Sequence, residues 1–252
     1  MGKQELCYWC GRPATSREHV PPKCLFPEGK DLKGIDRKNY RKNLITVPSC
    51  DAHNLRKSND DEYLLVCLAS RVGNNIAAYL HTCTKVRRAR ERNPFLINIE
   101  GEATVEAQNI QFPVEWANVN MLRLFHSFEA IARALYYYDF GVCFNGMCHI
   151  VTRLCFNPDA MKSTLFNARA CKLIEMEMPH WKTEVKGDNP EIFTYQFSPE
   201  DAFKTRTLCL TFYEKTQVFV ALSRMTAEEL AVQRAKTKDF ANIVFGDVFD
   251  LD

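Results

Sequence analysis

Through the first 57 residues the apolar positions keep neither a helical nor a strand period. Cys, Pro, Gly and Asn interrupt them every few residues, as in a small loop-rich fold that cannot build a core of its own. The pattern changes at Ser58. Ser58-Asn59-Asp60-Asp61-Glu62 supplies capping side chains and first-turn acids ahead of Tyr63, Leu64, Val66, Cys67 and Leu68, which predicts a helix to about Arg71. A second helix is expected over residues 74–92, ending in Lys85, Arg87, Arg88, Arg90 and Arg92, cations that suit a helix C-terminus. Asn93-Pro94 then marks a boundary, because the residue before Pro disfavours helix.

Beyond it come a short strand-like run, Phe95 to Ile99, and a Pro-marked loop. The clearest helix of the chain is expected from Asn120 to Asp139, where Leu122, Phe125, Phe128, Ala132, Leu135 and Asp139 recur at steps of three and four. His149 to Phe156 reads as a strand and Asn167 to Met178 as a helix. Thr207 to Tyr213 and Gln217 to Ser223 read as a hairpin, although the turn between them has no Gly. Thr226-Ala227-Glu228-Glu229 is a capping box that opens a last helix. The expected fold class is α+β, in three parts: a small module over residues 1–58, a helical connector over 59–93 and an α+β domain over 94–252.

Charge sharpens this division. Residues 1–92 hold 18 Lys and Arg against 10 Asp and Glu, a balance of +8, while the rest hold 15 against 21, a balance of −6. The positive excess therefore lies in the N-terminal part, which favours a phosphate-rich partner there. No apolar run approaches the roughly 20 residues that cross a bilayer, so no membrane is expected. The chain has eleven cysteines, an odd number, and its opening residues show no export pattern. Reduced thiols in the cytoplasm are expected, with some bound to metal. Most of Cys67, Cys83, Cys143, Cys148, Cys155, Cys171 and Cys209 sit among apolar neighbours and read as small buried hydrophobes.

The chemistry is concentrated before residue 58. Cys7-Tyr8-Trp9-Cys10 is answered by Cys50-Asp51-Ala52-His53, two pairs each separated by two residues. Such pairs give four donors in a tetrahedral array, a closed structural site of the zinc type; Cys24 is a rival for the fourth position. Between them stands Glu18-His19, a hard carboxylate beside an imidazole. Asn54 follows His53 directly, on an expected short helix from Ala52 to Lys57, and its amide oxygen suits a hard divalent ion. Consecutive residues of a strand point to opposite faces, so Glu18 and His19 would need a distorted strand to serve one site.

In this order (Cys-x2-Cys, acid-His, Asn, Cys-x2-His-Asn) residues 7–57 resemble the HNH endonucleases, the zinc-bearing branch of the ββα-metal nucleases. The resemblance implies a metal-dependent endonuclease that hydrolyses phosphodiester bonds in nucleic acid. It implies that His19 is the general base, that Glu18 and Asn54 hold a catalytic Mg2+ or Mn2+, and that Asn43 braces the hairpin and orients His19. Cys7, Cys10, Cys50 and His53 would bind structural Zn2+. Two residues depart from the usual pattern: Glu18 stands where the family has Asp, and His53 where it usually has Cys.

Lys23, Arg56 and Lys57 lie close in sequence to these groups and are expected phosphate contacts. The basic stretch Lys30, Lys33, Arg37, Lys38, Arg41 and Lys42 reads as a substrate-facing or a solvated loop. DNA is the favoured substrate, with RNA open, and anti-phage defence is the expected setting. Residues 94–252 would serve recognition, regulation or pairing with a second copy or a partner protein. The competing expectation is a zinc module that binds nucleic acid or protein without cutting.

Overall fold

The computed structural model describes residues 4–32, 38–107, 110–154, 160–233 and 235–236. The fold is α+β, with helices and antiparallel sheets. The chain packs into two compact units. The first comprises residues 1–143 with Asp188–Phe193 and Phe212–Thr216, and the second comprises the remainder. No helix among the described residues is long and apolar enough to cross a membrane.

The first unit opens with a turn that folds back on itself. Leu6 bridges Pro13, Gly11 N–H donates to Cys7 O at 2.9 Å, and Gly11 sits at φ +68°, a left-handed conformation natural to glycine. Strand β1 (Ser16–Val20) then pairs antiparallel with β2 (Ile45–Ser49), in a register that sets Glu18 against Val47 and His19 against Thr46. Helix α1 (Asp51–Ala69) follows at once. The order is therefore ββα.

Two separate helices are expected over residues 52–71, but α1 is one unbroken helix of 19 residues that runs through the expected boundary at 58/59. Two acids of the polar run read as a cap are engaged in ion pairs instead. Asp60 meets Arg123 at 2.7 Å and Glu62 meets Arg92 at 2.5 Å. The later turns of α1 carry Tyr63, Leu64, Leu65 and Leu68 into the core.

The helix expected over 74–92 is present in three parts: α2 (Ile76–His81), a π-turn (Thr82–Val86) and α3 (Arg87–Arg92). Asn75 caps α2 by accepting from Ala78 N–H at 3.1 Å. The next segment departs from expectation: β3 (Asn98–Ala107) and β4 (Ile110–Asn118) form a two-stranded ribbon in place of the short strand and loop. Helix α4 (Met121–Phe140) is where the sequence places it, capped by Asn120 and closed by Gly141 at φ +71°. Phe128, Ala132 and Leu135 of its predicted stripe are buried, together with Leu124 and Ile131. Leu122 instead stands 80% exposed.

His81, at the end of α2, is fully buried, and its Nδ1 lies 3.4 Å from the Tyr213 hydroxyl, which itself donates to Leu25 O at 3.0 Å. Burial, and then the charge of Lys85, push the imidazole pKa down to about 3. The folded pKa lies below the free value near 6.5, so the unfolded chain takes the extra proton. The stability associated with neutral His81 is complete above about pH 6.5 and is lost as pH falls toward 3, on the order of 4 kcal/mol across that window. Denaturant titrations at pH 7 and pH 4 should show a smaller acid-induced loss in His81→Gln than in the wild type; equal losses would place the acid sensitivity elsewhere.

In the second unit, β5 (Met147–Thr152) pairs antiparallel with β9 (Thr216–Ser223) in a five-stranded sheet of order β5-β9-β8-β7-β6. The other strands are β6 (Lys186–Asn189), β7 (Phe193–Phe197) and β8 (Thr205–Phe212). The ends of several strands belong to the first unit. Helix α5 (Met161–Glu177) begins earlier than the expected Asn167. Its Cys171 joins Trp181, Cys209 and Phe219 in a buried cluster, where burial pushes the Cys171 and Cys209 thiols up to about 11.

Cys171 and Cys209 are thus the small buried hydrophobes expected. Cys67, Cys143 and Cys148 are only half-buried, Cys83 is exposed, and Cys155 lies outside the described residues. The hairpin β8–β9 turns through Tyr213 and Glu214, both at positive φ (50° and 62°), a primed turn without Gly. Tyr213 is held there by its buried hydroxyl contact to Leu25 O. The capping box is formed as read: Thr226 N–H donates to the Glu229 carboxylate at 2.8 Å, and Glu229 N–H to Thr226 Oγ1 at 3.1 Å.

Candidate metal centre

The opening turn is pinned to the hairpin by its backbone. Tyr8 N–H donates to Pro48 O at 2.9 Å, and Thr15 N–H to Ser49 O at 3.0 Å. This brings Cys7 and Cys10 beside the end of β2, where Cys50 serves as the N-cap residue of α1. The first helical turn returns His53 to the same place, its N–H donating to Cys50 O at 3.0 Å. Thr15 Oγ1 donates to the Asp51 carboxylate at 2.6 Å and ties the helix start to the strand.

The result is a set of four donors, Cys7, Cys10, Cys50 and His53, whose ligand atoms all lie within 4.8 Å of one another. Cys10 and Cys50 sulfurs are 3.8 Å apart, and His53 Nδ1 stands 3.7 Å from Cys7 Sγ and 3.2 Å from Cys50 Sγ. Burial raises the Cys7 thiol pKa, but the amides of Cys10, Trp9 and Cys50 outweigh it and leave the thiol below its ordinary value, nearer the thiolate that binds metals. Such a Cys3His set can bind a metal ion. Cys24 is not part of it; its thiol donates to Asp61 O at 3.2 Å.

Aromatic and cationic groups cover one side of the set. Trp9 stacks on His53 with centroids 5.2 Å apart and planes 15° from parallel. Arg133 of α4 lies 5.2 Å over the Trp9 ring, and exposed His126 stands 5.7 Å from it. The sequence offered no signal for this packing, since Arg133 and His126 lie far beyond Trp9 along the chain.

The other candidate residues divide between two faces of β1. Its register shows no irregularity, so Ser16, Glu18 and Val20 share one face and Arg17 and His19 the other. Glu18 is 6% exposed. Asn54 meets the first face, its Nδ2 donating to Ser16 Oγ at 2.9 Å. Glu18 and Asn54 are thereby brought to one side of the hairpin.

His19 looks outward with Arg17, whose Nε donates to Thr46 Oγ1 at 3.2 Å. Its pKa is lowered by partial burial first and then by the charges of Lys23 and Arg41, so the imidazole is neutral at pH 7. Exposed Lys23 therefore lies in the field of His19. Arg41 is anchored by Phe26 O at 3.0 Å and by Glu28 at 2.7 Å.

Asn43 is exposed at φ +56° on the approach to β2. That is the left-handed region Asn tolerates best among residues with a side chain, and it suits a residue that shapes the hairpin. Arg56 and Lys57 lie on α1, with side chains outside the described set. Of the basic stretch, Lys38 pairs with Glu191 at 2.6 Å and Lys30 with Glu28 at 2.7 Å, while Lys33 and Arg37 lie outside the described residues.

Two further residues of the first unit escaped the sequence reading. Tyr8, between the paired cysteines, is 1% exposed, and its pKa is raised well above the usual value by burial, then by the charges of Glu18 and Cys7 and a hydrogen bond to Glu18, with Asp61 contributing least. Asp61 lies seven residues beyond Asn54, a helical spacing that could have flagged it. Comparison with family models, curated proteins and solved structures found no match for this chain.

Proposed function

We propose that the chain is a metal-dependent endonuclease of the HNH type, hydrolysing phosphodiester bonds in nucleic acid, with DNA as the favoured substrate. The observation that carries this reading is the Cys3His set placed within one ββα element that also bears Glu18 and His19 on β1 and Asn54 on α1. In a tetrahedral zinc site with Zn–S about 2.3 Å and Zn–N about 2.0 Å, sulfur atoms stand about 3.8 Å apart and sulfur and nitrogen about 3.5 Å. The separations of 3.8, 3.7 and 3.2 Å fit that ion. Zinc here is structural, since four protein donors leave no open position.

The chemical work would fall to His19. A neutral imidazole accepts a proton from water at pH 7, and the cations that add to burial in disfavouring its protonation, Lys23 and Arg41, would also attract the phosphate. Glu18 and Asn54, a carboxylate and an amide on one face, would hold Mg2+ or Mn2+. That ion, when bound, neutralises charge on the phosphate and on the leaving oxygen.

A second reading, a zinc module that binds nucleic acid without cutting, draws support from the regularity of β1, which turns Glu18 inward and His19 outward. Incubation of zinc-loaded protein with supercoiled plasmid, single-stranded DNA and RNA, with and without Mn2+, separates the two. The nuclease reading expects Mn2+-dependent cutting of at least one substrate. Retarded migration on a gel without cutting would overturn it in favour of binding.

A further inference from the structure

The short turn that leaves β1 is held by side chains from three other parts of the first unit. Of its consecutive carbonyls, Cys24 O accepts from Lys85 Nζ at 3.2 Å, Leu25 O from the Tyr213 hydroxyl at 3.0 Å and Phe26 O from Arg41 Nε at 3.0 Å. Cations therefore gather around residues 23–26, which begin four residues past His19: Lys23 itself, Lys85 from the π-turn and Arg41 from the approach to β2.

These charges are not equally balanced. Arg41 meets Glu28 at 2.7 Å, and Arg88, a turn beyond Lys85, meets buried Asp31 at 2.7 Å. Lys23 and Lys85 have no acid partner within ion-pair distance among the described residues. Lys85 is half-buried, and its ammonium holds a single neutral carbonyl, which leaves a full charge and further N–H donors to satisfy. An ammonium fixed in this way binds an oxyanion with little ordering cost. Exposed Lys23 adjoins the same residue, Cys24, and supplies a second cation.

We propose that Lys85, together with Lys23, binds a backbone phosphate that flanks the scissile one, so that nucleic acid leaves His19 along residues 23–26. The inference rests on the nuclease reading for the position of the scissile phosphate, and adds Lys85, which that reading does not contain. A phosphodiester is the oxyanion that fits, because the subsite continues the strand that bears His19 and lies in the part of the chain with the positive excess.

Binding can be read without cleavage. Zinc-loaded full-length protein, with no Mg2+ or Mn2+ added, is titrated into labelled duplex and single-stranded DNA over a series of salt concentrations, and fluorescence anisotropy gives the affinity. Each phosphate contact contributes about 0.9 to the slope of log affinity against log salt on a duplex and about 0.7 on a single strand. Lys85→Gln keeps an N–H donor for Cys24 O but loses the charge, so the slope should become shallower by about one such step, with affinity reduced about three- to tenfold at low salt. Lys85→Arg should keep the wild-type slope. Lys204→Gln, which removes the same charge from the second unit, should bind as the wild type does. An unchanged slope in Lys85→Gln, an equal change in Lys204→Gln, or no binding by the wild type would overturn the proposal. So would affinity lost at constant slope, the mark of a purely structural lysine.

If Lys85→Gln fails to fold, labelling of wild-type lysines with an N-hydroxysuccinimide ester, with and without DNA, gives the same answer. Protection of Lys85 and Lys23 but not Lys204 supports the subsite, and labelling of Lys85 unaltered by DNA rejects it. A shallower slope in Lys85→Gln with no cutting of any nucleic acid in Mn2+ would sink the nuclease reading alone. Cutting in Mn2+ with the slope of Lys85→Gln unchanged would sink the Lys85 assignment alone.

Discussion

Cys50→Ser is expected to release the zinc and to unfold the N-terminal part of the first unit. Cys50 follows β2, is the N-cap residue of α1 and faces both the opening turn and His53, so one residue joins every piece of the module. Structural zinc contributes roughly 10–16 kcal/mol in small zinc-dependent folds, while an entire domain is stable by only about 5–15 kcal/mol. Losing even half of the zinc contribution would therefore remove the native state of that region at room temperature. Metal analysis of purified protein together with a thermal melt by circular dichroism checks this: zinc should fall from one per chain to near none, with loss or strong lowering of the transition. Cys24→Ser should keep its zinc, because its thiol is directed to Asp61 O. A Cys50→Ser protein that retained zinc, or melted as the wild type does, would refute the assignment.

The second large effect concerns His19. If it is the general base, His19→Ala should slow Mn2+-dependent cleavage by about 10²–10⁴-fold without changing zinc content. The pH profile adds a finer test. Burial and the charges of Lys23 and Arg41 disfavour the imidazolium, so the folded pKa lies below the ordinary histidine value and the base stays neutral into mildly acid solution. Activity should hold from neutral pH to below about pH 6.5 and then fall as the imidazole takes a proton. Removing one cation in Lys23→Ala lets the proton bind more readily, so the acid limb should move to higher pH. Lys23 is a cleaner choice than Arg41, which also holds Phe26 O and Glu28. A limb that stays in place in Lys23→Ala, or cleavage unaffected in His19→Ala, would remove His19 from the role.

Residue order alone located the four donors, because two pairs each two residues apart have few other uses in a chain of this kind, and the structure brings those same four side chains together. The helix from Asn120 was equally legible from its cap and period. Other features depend on contacts that sequence spacing does not encode. Ser58 to Glu62 looks like a cap, yet Arg123 and Arg92, far along the chain, supply the charges that let Asp60 and Glu62 sit inside a continuous helix.

Pro113 argued for a loop, yet it stands opposite Thr104 in β4. In a ribbon of two strands every strand is an edge, and an edge tolerates a missing N–H. Tyr213 and Glu214 adopt a turn that normally needs Gly because a buried hydroxyl contact holds Tyr213 in place. At the candidate site, the alternation that sends Glu18 and His19 to opposite faces was legible, but the regularity of the strand that bears them was not, since it follows from the unbroken register of β1 with β2.

The continuity of α1 bears on how the module could be dissected or transplanted. A fragment ending at residue 58 would contain every zinc donor but only the first eight residues of the helix, none of them among its buried core residues Tyr63, Leu64, Leu65 and Leu68. A helix that short does not persist in water by itself. The smallest portable piece of this protein is therefore longer than its motif: a graft onto another scaffold would have to carry α1 through Ala69 and supply an apolar surface for its far end.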